Sequence, residues 1–428
     1  MSMQCLICLS DNRNHTAACF ACGFPFSSRQ STYHLPSSTL LRQKHYKITD
    51  IIGEGGFGIT YRGTDLINSR EVAIKENWPE KATRQGTTVM WPYSITPKSR
   101  QEQIRKFATE AQFLSRCVHF NVVGVYDWFE ENNTAYMVMS FIKGKPLSKI
   151  LEEEGPLPPN RVKRYFLQIA DALRTIHSLN LLHRDIKPAN IIIDQQDRAI
   201  LIDFGATKEF VAGQTRTDSV TLTPGYAPIE QYSYRGKRWP ATDLYALCAS
   251  MYELLTGELP APATERFASE TLIPPRQLAP HIDPLIEQVI LTGMKMRVEE
   301  RFQTADELIK ALTGGNQAVR LISMHANSPI TEFLLEDKKT IIGRFDPNTG
   351  VVNVDLENFP NSGTVSRRHA EIFREGGQWK IKDLASLNGV FIKRSGQTHL
   401  GAIITRPEIL NFGDEIAFGE VHFRFHNF

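Results

Sequence analysis

The stretch His183-Arg184-Asp185-Ile186-Lys187-Pro188-Ala189-Asn190 is followed, thirteen residues on, by Asp203-Phe204-Gly205. It sets one carboxylate, one ammonium and two oxygen ligands for a metal at the spacings phosphoryl transfer needs. A carboxylate such as Asp185 can orient a hydroxyl and take its proton. An ammonium such as Lys187 can neutralise charge on a moving phosphoryl group. Asn190 and Asp203 offer the hard oxygen ligands that Mg2+ or Mn2+ accepts. Either short string alone would mean little; the pair, in this order, carries the reading.

Upstream, Gly53-Glu54-Gly55-Gly56-Phe57-Gly58 follows the apolar Ile51-Ile52. Absent side chains let a backbone close over a triphosphate and present N–H groups to it. A dinucleotide-binding turn shares this glycine spacing, but it leads from strand to helix. Here Thr60-Tyr61-Arg62 and then Glu71-Val72-Ala73-Ile74-Lys75 follow, which reads strand, turn, strand.

Three other features must be placed around this chemistry. The first is a head with Cys5-x2-Cys8 and Cys19-x2-Cys22-Gly23, a four-thiolate spacing of the zinc-ribbon type. So short a segment cannot bury enough surface to fold alone, and Zn2+ would supply the difference. Two redox CxxC pairs are the alternative. The second is helical periodicity at 100–116, 160–180 and 241–256. The third is a change to period two from about Val319, with Trp379, Ile381, Val421, Phe423 and Phe425 alternating with polar residues. Residues 27–44 are rich in Ser and Thr and read as a linker; Gly314 opens a second, short one.

With 428 residues, two to four domains are expected, and 41% apolar composition can fill their cores. A net charge of +2 gives no reason to expect nucleic-acid or anionic-membrane binding. No run approaches a membrane span of about 18 apolar residues. The N-terminus has no signal-type apolar region, and six cysteines do not make a disulfide scaffold. A cytoplasmic protein is expected.

Taken together, Tyr46 to Leu312 resembles a protein kinase of the serine/threonine type. The resemblance implies ATP, held by Ile52, Gly53, Glu54, Gly55, Gly56, Phe57, Gly58, Thr60, Ala73, Lys75, Glu110, Met139, Phe141 and Ile142. Lys75 would reach the phosphates and pair with Glu110; Leu114 would be an apolar neighbour in the regulatory spine. Met139 would be the gatekeeper beside the adenine. Asp185, Lys187, Asn190 and Asp203 would be catalytic, with Asn190 and Asp203 holding Mg2+. Thr223-Pro224-Gly225-Tyr226-Ala227-Pro228-Ile229-Glu230 matches the substrate end of an activation segment, with Glu230 paired to Arg301 and Asp243 anchoring the catalytic loop. Cys248 stands where the family usually has glycine. Thr215, Thr217, Ser219 and Thr221 are candidate phosphorylation sites that Arg184 would answer.

Ile342-Gly343-Arg344, Ser366-Arg367-Arg368-His369, Ser386-Leu387-Asn388-Gly389 and Gly413-Asp414 resemble a forkhead-associated (FHA) domain, a sandwich that binds phosphothreonine. Arg344, Ser366 and Arg367 would meet the phosphate and Asn388 the peptide backbone, while His369 would brace the loop. The expected fold is multidomain α+β: zinc ribbon at 1–26, linker 27–44, bilobal kinase 45–313, linker 314–319 and all-β FHA sandwich 320–428. The combination is similar to cyanobacterial signalling kinases. The implied activity is transfer of the ATP γ-phosphate to protein Ser/Thr hydroxyls, with phosphothreonine partners and self-association for autophosphorylation. A pseudokinase scaffold and a zinc-dependent nucleic-acid regulator are the other readings.

Overall fold

The structure, a computed structural model, describes residues 3–4, 11–12, 33–55, 58–204, 208–209, 222–233, 238–269, 272–314, 319–325, 328, 330, 332–335, 339–346 and 352–427. The four head cysteines, Gly56, Phe57 and the candidate phosphorylation sites lie outside the described residues. Two units are present: Met1–Arg116 with Gly124–Phe141, and Cys117–Val123 with Ile142–Phe428.

The first unit is built on a six-stranded antiparallel sheet. Its order is Leu40–Leu41, Tyr46–Gly55, Gly58–Asp65, Arg70–Glu76, Thr134–Ser140 and Val125–Glu131. Alternating Tyr46/Ile48, Ile59/Tyr61 and Val72/Ile74 send their side chains into one core with Tyr136 and Val138. Helix α1 (Pro97–Arg116) buries Ile104, Phe107, Ala108, Ala111 and Leu114, a single stripe at helical spacing.

One segment departs from the sequence reading. In the expected 27–44 linker, residues 33–44 are part of the fold: Leu35 and Leu41 join the core, and Leu40–Leu41 pairs with Tyr46–Lys47. Two well-placed leucines outweigh a Ser/Thr-rich composition, because burying each is worth about 1.5–3 kcal/mol. The stretch after Lys75 carries a hairpin of Thr83–Gln85 and Thr88–Met90. Arg84 from this hairpin pairs with the wholly buried Glu76. Glu76 also accepts the hydroxyls of Tyr61 (2.9 Å) and Tyr136 (2.7 Å), so this buried charge is compensated.

The second unit contains α2 (Leu147–Glu154), α3 (Pro159–Ser178), α4 (Pro240–Thr256), α5 (Ala263–Ala268), α6 (Pro275–Leu278), α7 (Pro284–Gly293) and α8 (Ala305–Leu312). Helix α4 is mostly apolar and is buried along nearly its whole length, so it acts as the central rod. Cys248 on α4 lies where a Cβ on Gly293 would come within 2.2 Å of its sulfur. The missing side chain on α7 therefore makes the room that the cysteine fills. A small sheet of Gly144–Pro146, Ile191–Asp194 and Ala199–Leu201 carries the loops that hold the candidate catalytic motifs.

The C-terminal part is a sandwich of two five-stranded sheets. One runs Glu332–Leu335, Val319–Ser323, Val421–Asn427, Glu415–Phe418, Val390–Lys393; the other runs Val354–Asp355, Thr340–Gly343, Ala370–Glu375, Gln378–Asp383, Glu408–Ile409. Its core holds Trp379, Ile381, Val421, Phe423 and Phe425, the residues that alternate in the sequence. The first strand starts at Val319 and pairs with Asn427.

Candidate active site

In the first unit the nucleotide candidates gather through strand register. Lys75 lies opposite Thr60 on one side and Met137 on the other, and Ala73 lies opposite Met139. Ala73 and Lys75 are two apart on one strand, so they share a face. Lys75 Nζ is 3.3 Å from Glu110 Oε1, and both side chains are largely buried. Leu114, one turn beyond Glu110, is buried as well. Gly58 ends the glycine loop at φ +132°, where a Cβ would come within 2.1 Å of the Glu76 carbonyl oxygen, so only glycine fits. Ile52, Gly53 and Glu54 are exposed along the strand before it. Phe141 ends this unit, with Arg62 over its ring, and Ile142 begins the next.

In the second unit four side chains close a hydrogen-bond network. Lys187 Nζ donates to Asp185 Oδ2 at 2.8 Å and to Thr223 Oγ1 at 3.1 Å. Thr223 Oγ1 donates to Asp185 Oδ1 at 3.1 Å. Asn190 Nδ2 donates to the Asp185 backbone carbonyl at 2.8 Å and to Asp185 Oδ2 at 2.9 Å. Asp185 is thus held from three directions with its carboxylate fixed. Thr223 was legible as part of an activation-segment motif, but its bridging role was not.

Behind this network stands Asp243, fully buried on α4. Its Oδ2 accepts the His183 N–H at 2.9 Å, and its Oδ1 accepts the Arg184 N–H at 2.8 Å. His177 Nε2 is 2.9 Å from Oδ2. Burial pushes this carboxyl up, but the His177 hydrogen bond and charge, with His183 and the Arg184 amide, hold it below the usual carboxylate range. His183 is itself buried, which lowers its imidazole and keeps it neutral, and its ring packs 4.6 Å from that of Phe204. Arg184 (φ +67°) and Asp203 (φ +57°) both adopt left-handed backbone, which is uncommon away from glycine. Glu230 takes a bidentate contact from Arg301 at 2.8 and 3.1 Å and a third bond from Thr242 at 3.0 Å.

At one end of the sandwich, the Arg344 N–H donates to the Ser366 carbonyl at 3.2 Å, and the Leu387 N–H donates to Ser366 Oγ at 3.0 Å. Asn388 Nδ2 reaches the Thr364 carbonyl at 2.8 Å. These contacts bring the Arg344, Ser366–Arg367 and Asn388 loops together. Gly343 permits the approach, since a Cβ there would lie 2.1 Å from the Arg367 carbonyl oxygen. Arg367 Nε is 2.8 Å from Asp346, and Arg344 is 3.7 Å from Glu357. Buried His369 accepts the Ser366 N–H at Nδ1 (3.0 Å), so its Nε2 proton points to the Gly389 carbonyl at 2.9 Å. Both ring nitrogens are spent on the loop, as a bracing role requires.

This set of motifs, on these elements, defines a unit of the protein-kinase type followed by a sandwich of the FHA type. The protein kinase domain model matches residues 46–326, and the chain belongs to that family. The FHA domain model matches residues 340–419. The strand Val319–Ser323 falls inside the kinase match, yet it pairs within the sandwich. The chain is similar to the serine/threonine-protein kinase PrkC of Bacillus subtilis, at 32% identity over 271 residues, covering 61% of this chain and 39% of the relative. It is also similar to the serine/threonine-protein kinase PknA of a Nostoc species, at 30% identity over 287 residues, covering 64% and 48% respectively. The chain therefore spans 39–48% of the length of these curated relatives. The solved structure described as PpkA-294 apo form matches with a TM-score of 0.58 and 32% identity, covering 66% of this chain and 100% of that one. Among the described residues, no helix is long and apolar enough to cross a membrane.

Proposed function

We propose that this chain is a serine/threonine protein kinase that moves the ATP γ-phosphoryl group to a protein hydroxyl. The observation that carries the reading is the closed network of Asp185, Lys187, Asn190 and Thr223. Asp185 orients the acceptor hydroxyl and takes its proton. Lys187 stands 2.8 Å away, where its ammonium faces charge on the transferring group. Lys75, paired with Glu110, reaches the nucleotide phosphates, with Ala73, Met139 and the glycine loop lining the base and triphosphate.

The residues suit Mg2+. The Asn190 amide nitrogen is committed to Asp185, which leaves its carbonyl oxygen, with the Asp203 carboxylate, as the oxygen set a hard cation accepts. When bound, the ion neutralises phosphate charge. A scaffold without catalysis would not need every acid, ammonium and ligand position filled, so the enzyme reading is favoured.

The sandwich serves this activity by binding phosphothreonine partners through Arg344, Ser366, Arg367 and Asn388. Activation-segment phosphorylation at Thr217 or Thr221, self-association, a Cys5/Cys8/Cys19/Cys22 zinc ribbon, a cytoplasmic setting and a cyanobacterial-type domain combination complete the proposal. The test is incubation of the purified chain with γ-labelled ATP and Mg2+, followed by mapping of label. Label on Ser or Thr supports the reading; ATP binding with no transfer to any hydroxyl contradicts it and favours the scaffold.

A further inference from the structure

We propose that Arg320, on the first strand of the FHA sandwich, is a positioning residue for phosphoryl transfer, acting through a buried polar relay that ends beside Asp203. This rests on the kinase reading above. The starting point is Asp171 on α3, which is 1% exposed. Its Oδ2 accepts Arg320 Nη2 at 2.7 Å and His119 Nε2 at 3.2 Å, and Arg174 meets its other oxygen. Arg320 is 6% exposed, and its Nη1 reaches Glu332 Oε2 at 3.1 Å. The sandwich thus contributes a buried cation to the kinase helix. A surface ion pair between independent domains would be worth little, but a buried one leaves an uncompensated charge when a partner is removed.

Two branches lead from this cluster to one strand. Glu332 Oε1 accepts Gln168 Nε2 at 2.5 Å, and Gln168 Oε1 accepts the Ala199 N–H at 2.7 Å. On the other branch His119 Nδ1 accepts the Asn121 N–H at 3.1 Å, so the His119 proton sits on Nε2, facing Asp171. Asn121 Nδ2 donates to the Ala199 carbonyl at 2.8 Å, and the Asn121 carbonyl accepts the Leu201 N–H at 2.9 Å. Ala199–Leu201 is the strand that runs into Ile202 and Asp203. Asp203 holds a left-handed backbone at φ +57°, a conformation that lasts only where its surroundings over-determine it. A tethered domain would leave this strand alone. Here the sandwich reaches it through two polar routes.

The test uses the full chain and a short acceptor peptide without phosphothreonine, so that recruitment plays no part. Arg320→Ala should lower kcat about tenfold, with KM for the peptide within twofold, and Arg320→Lys should recover part of the loss. Affinity of the sandwich for a phosphothreonine peptide should stay within twofold. Hydrogen exchange gives a readout independent of transfer: the Ala199 and Leu201 amides should exchange at least tenfold faster in Arg320→Ala, while those of α7 stay unchanged. Unaltered exchange at Ala199 and Leu201, or a kcat within twofold of the unaltered protein, overturns the proposal. So does a uniform rise in exchange across the unit that Lys does not rescue, which marks plain loss of stability. If the unaltered protein transfers no phosphate, the kinase reading fails, and the exchange result still decides whether the relay exists.

Discussion

Asp243 is the position where a single substitution should report on fold and chemistry together. Its carboxylate accepts two backbone amides, from His183 and Arg184, at 2.9 and 2.8 Å, and the His177 ring at 2.9 Å. Asp243→Ala strands both amides in the interior, at about 1–3 kcal/mol each. Because the two share one site, their costs are not independent, and a total of about 3–5 kcal/mol is expected. Asp243→Asn can keep its carbonyl oxygen toward His183 and His177 while turning its amide nitrogen toward the Arg184 N–H. It loses one charge-assisted bond, about 1.5–3 kcal/mol. The left-handed backbone of Arg184, a strain of about 1–3 kcal/mol, is then less firmly held, so transfer should slow at least tenfold in both variants. Urea unfolding followed by tryptophan fluorescence is the assay, with Trp239 at the start of α4 as a local reporter. An Asp243→Asn protein as stable as the parent within about 0.5 kcal/mol, with transfer within twofold, refutes the reasoning.

Four further outcomes follow from the same geometry. Asp185→Asn should lower kcat by about 10²–10⁴-fold while nucleotide binding persists, as read by a fluorescent ATP analogue beside the transfer assay. Thr223→Val, which deletes the hydroxyl between Lys187 and Asp185, should slow transfer about tenfold, and Thr223→Ser should restore it; this assumes a bond to a charged group worth about 1.5 kcal/mol. Arg367→Ala should weaken phosphothreonine-peptide binding at least tenfold by calorimetry, with no change in affinity for the unphosphorylated peptide. His183 and His369 both have imidazoles lowered by burial, so each folds neutral while its unfolded counterpart takes a proton near pH 6.5. Their contribution to stability should be complete above about pH 6.5 and be lost as the pH falls from there through the lower folded values. Thermal melts between pH 8 and 5 should show it, and a flat melting temperature across that range speaks against neutral burial.

Much of the candidate site was legible because chemistry restricts its residue types. Only a carboxylate can play the role proposed for Asp185, and the roles proposed for Lys75, Asn190 and Asp203 restrict the residue type in the same way, while Glu110 came from the family resemblance. The three main helices were legible for a different reason: their apolar periodicity marks them. Pro97–Arg116 and Pro240–Thr256 cover the expected 100–116 and 241–256, and Pro159–Ser178 stops two residues short of the end of the expected 160–180. What escaped were contacts between residues distant in sequence with no period to betray them. Leu35 and Leu41 sit in a Ser/Thr-rich stretch that reads as linker, yet a sheet edge receives them. Arg84 finds Glu76 only because a hairpin folds back. Arg320 lies in an ordinary strand pattern, and nothing local says that its partner is Asp171, 149 positions earlier.

The most direct measurement is single-turnover transfer from γ-labelled ATP by the unaltered chain, Asp185→Asn, Thr223→Val and the double variant. If Asp185 and Thr223 act as one unit on the acceptor hydroxyl, label appears on Ser or Thr, Asp185→Asn nearly abolishes it, and the double variant is no slower than Asp185→Asn alone. A full-rate Asp185→Asn protein, or losses that multiply in the double variant, contradicts the account.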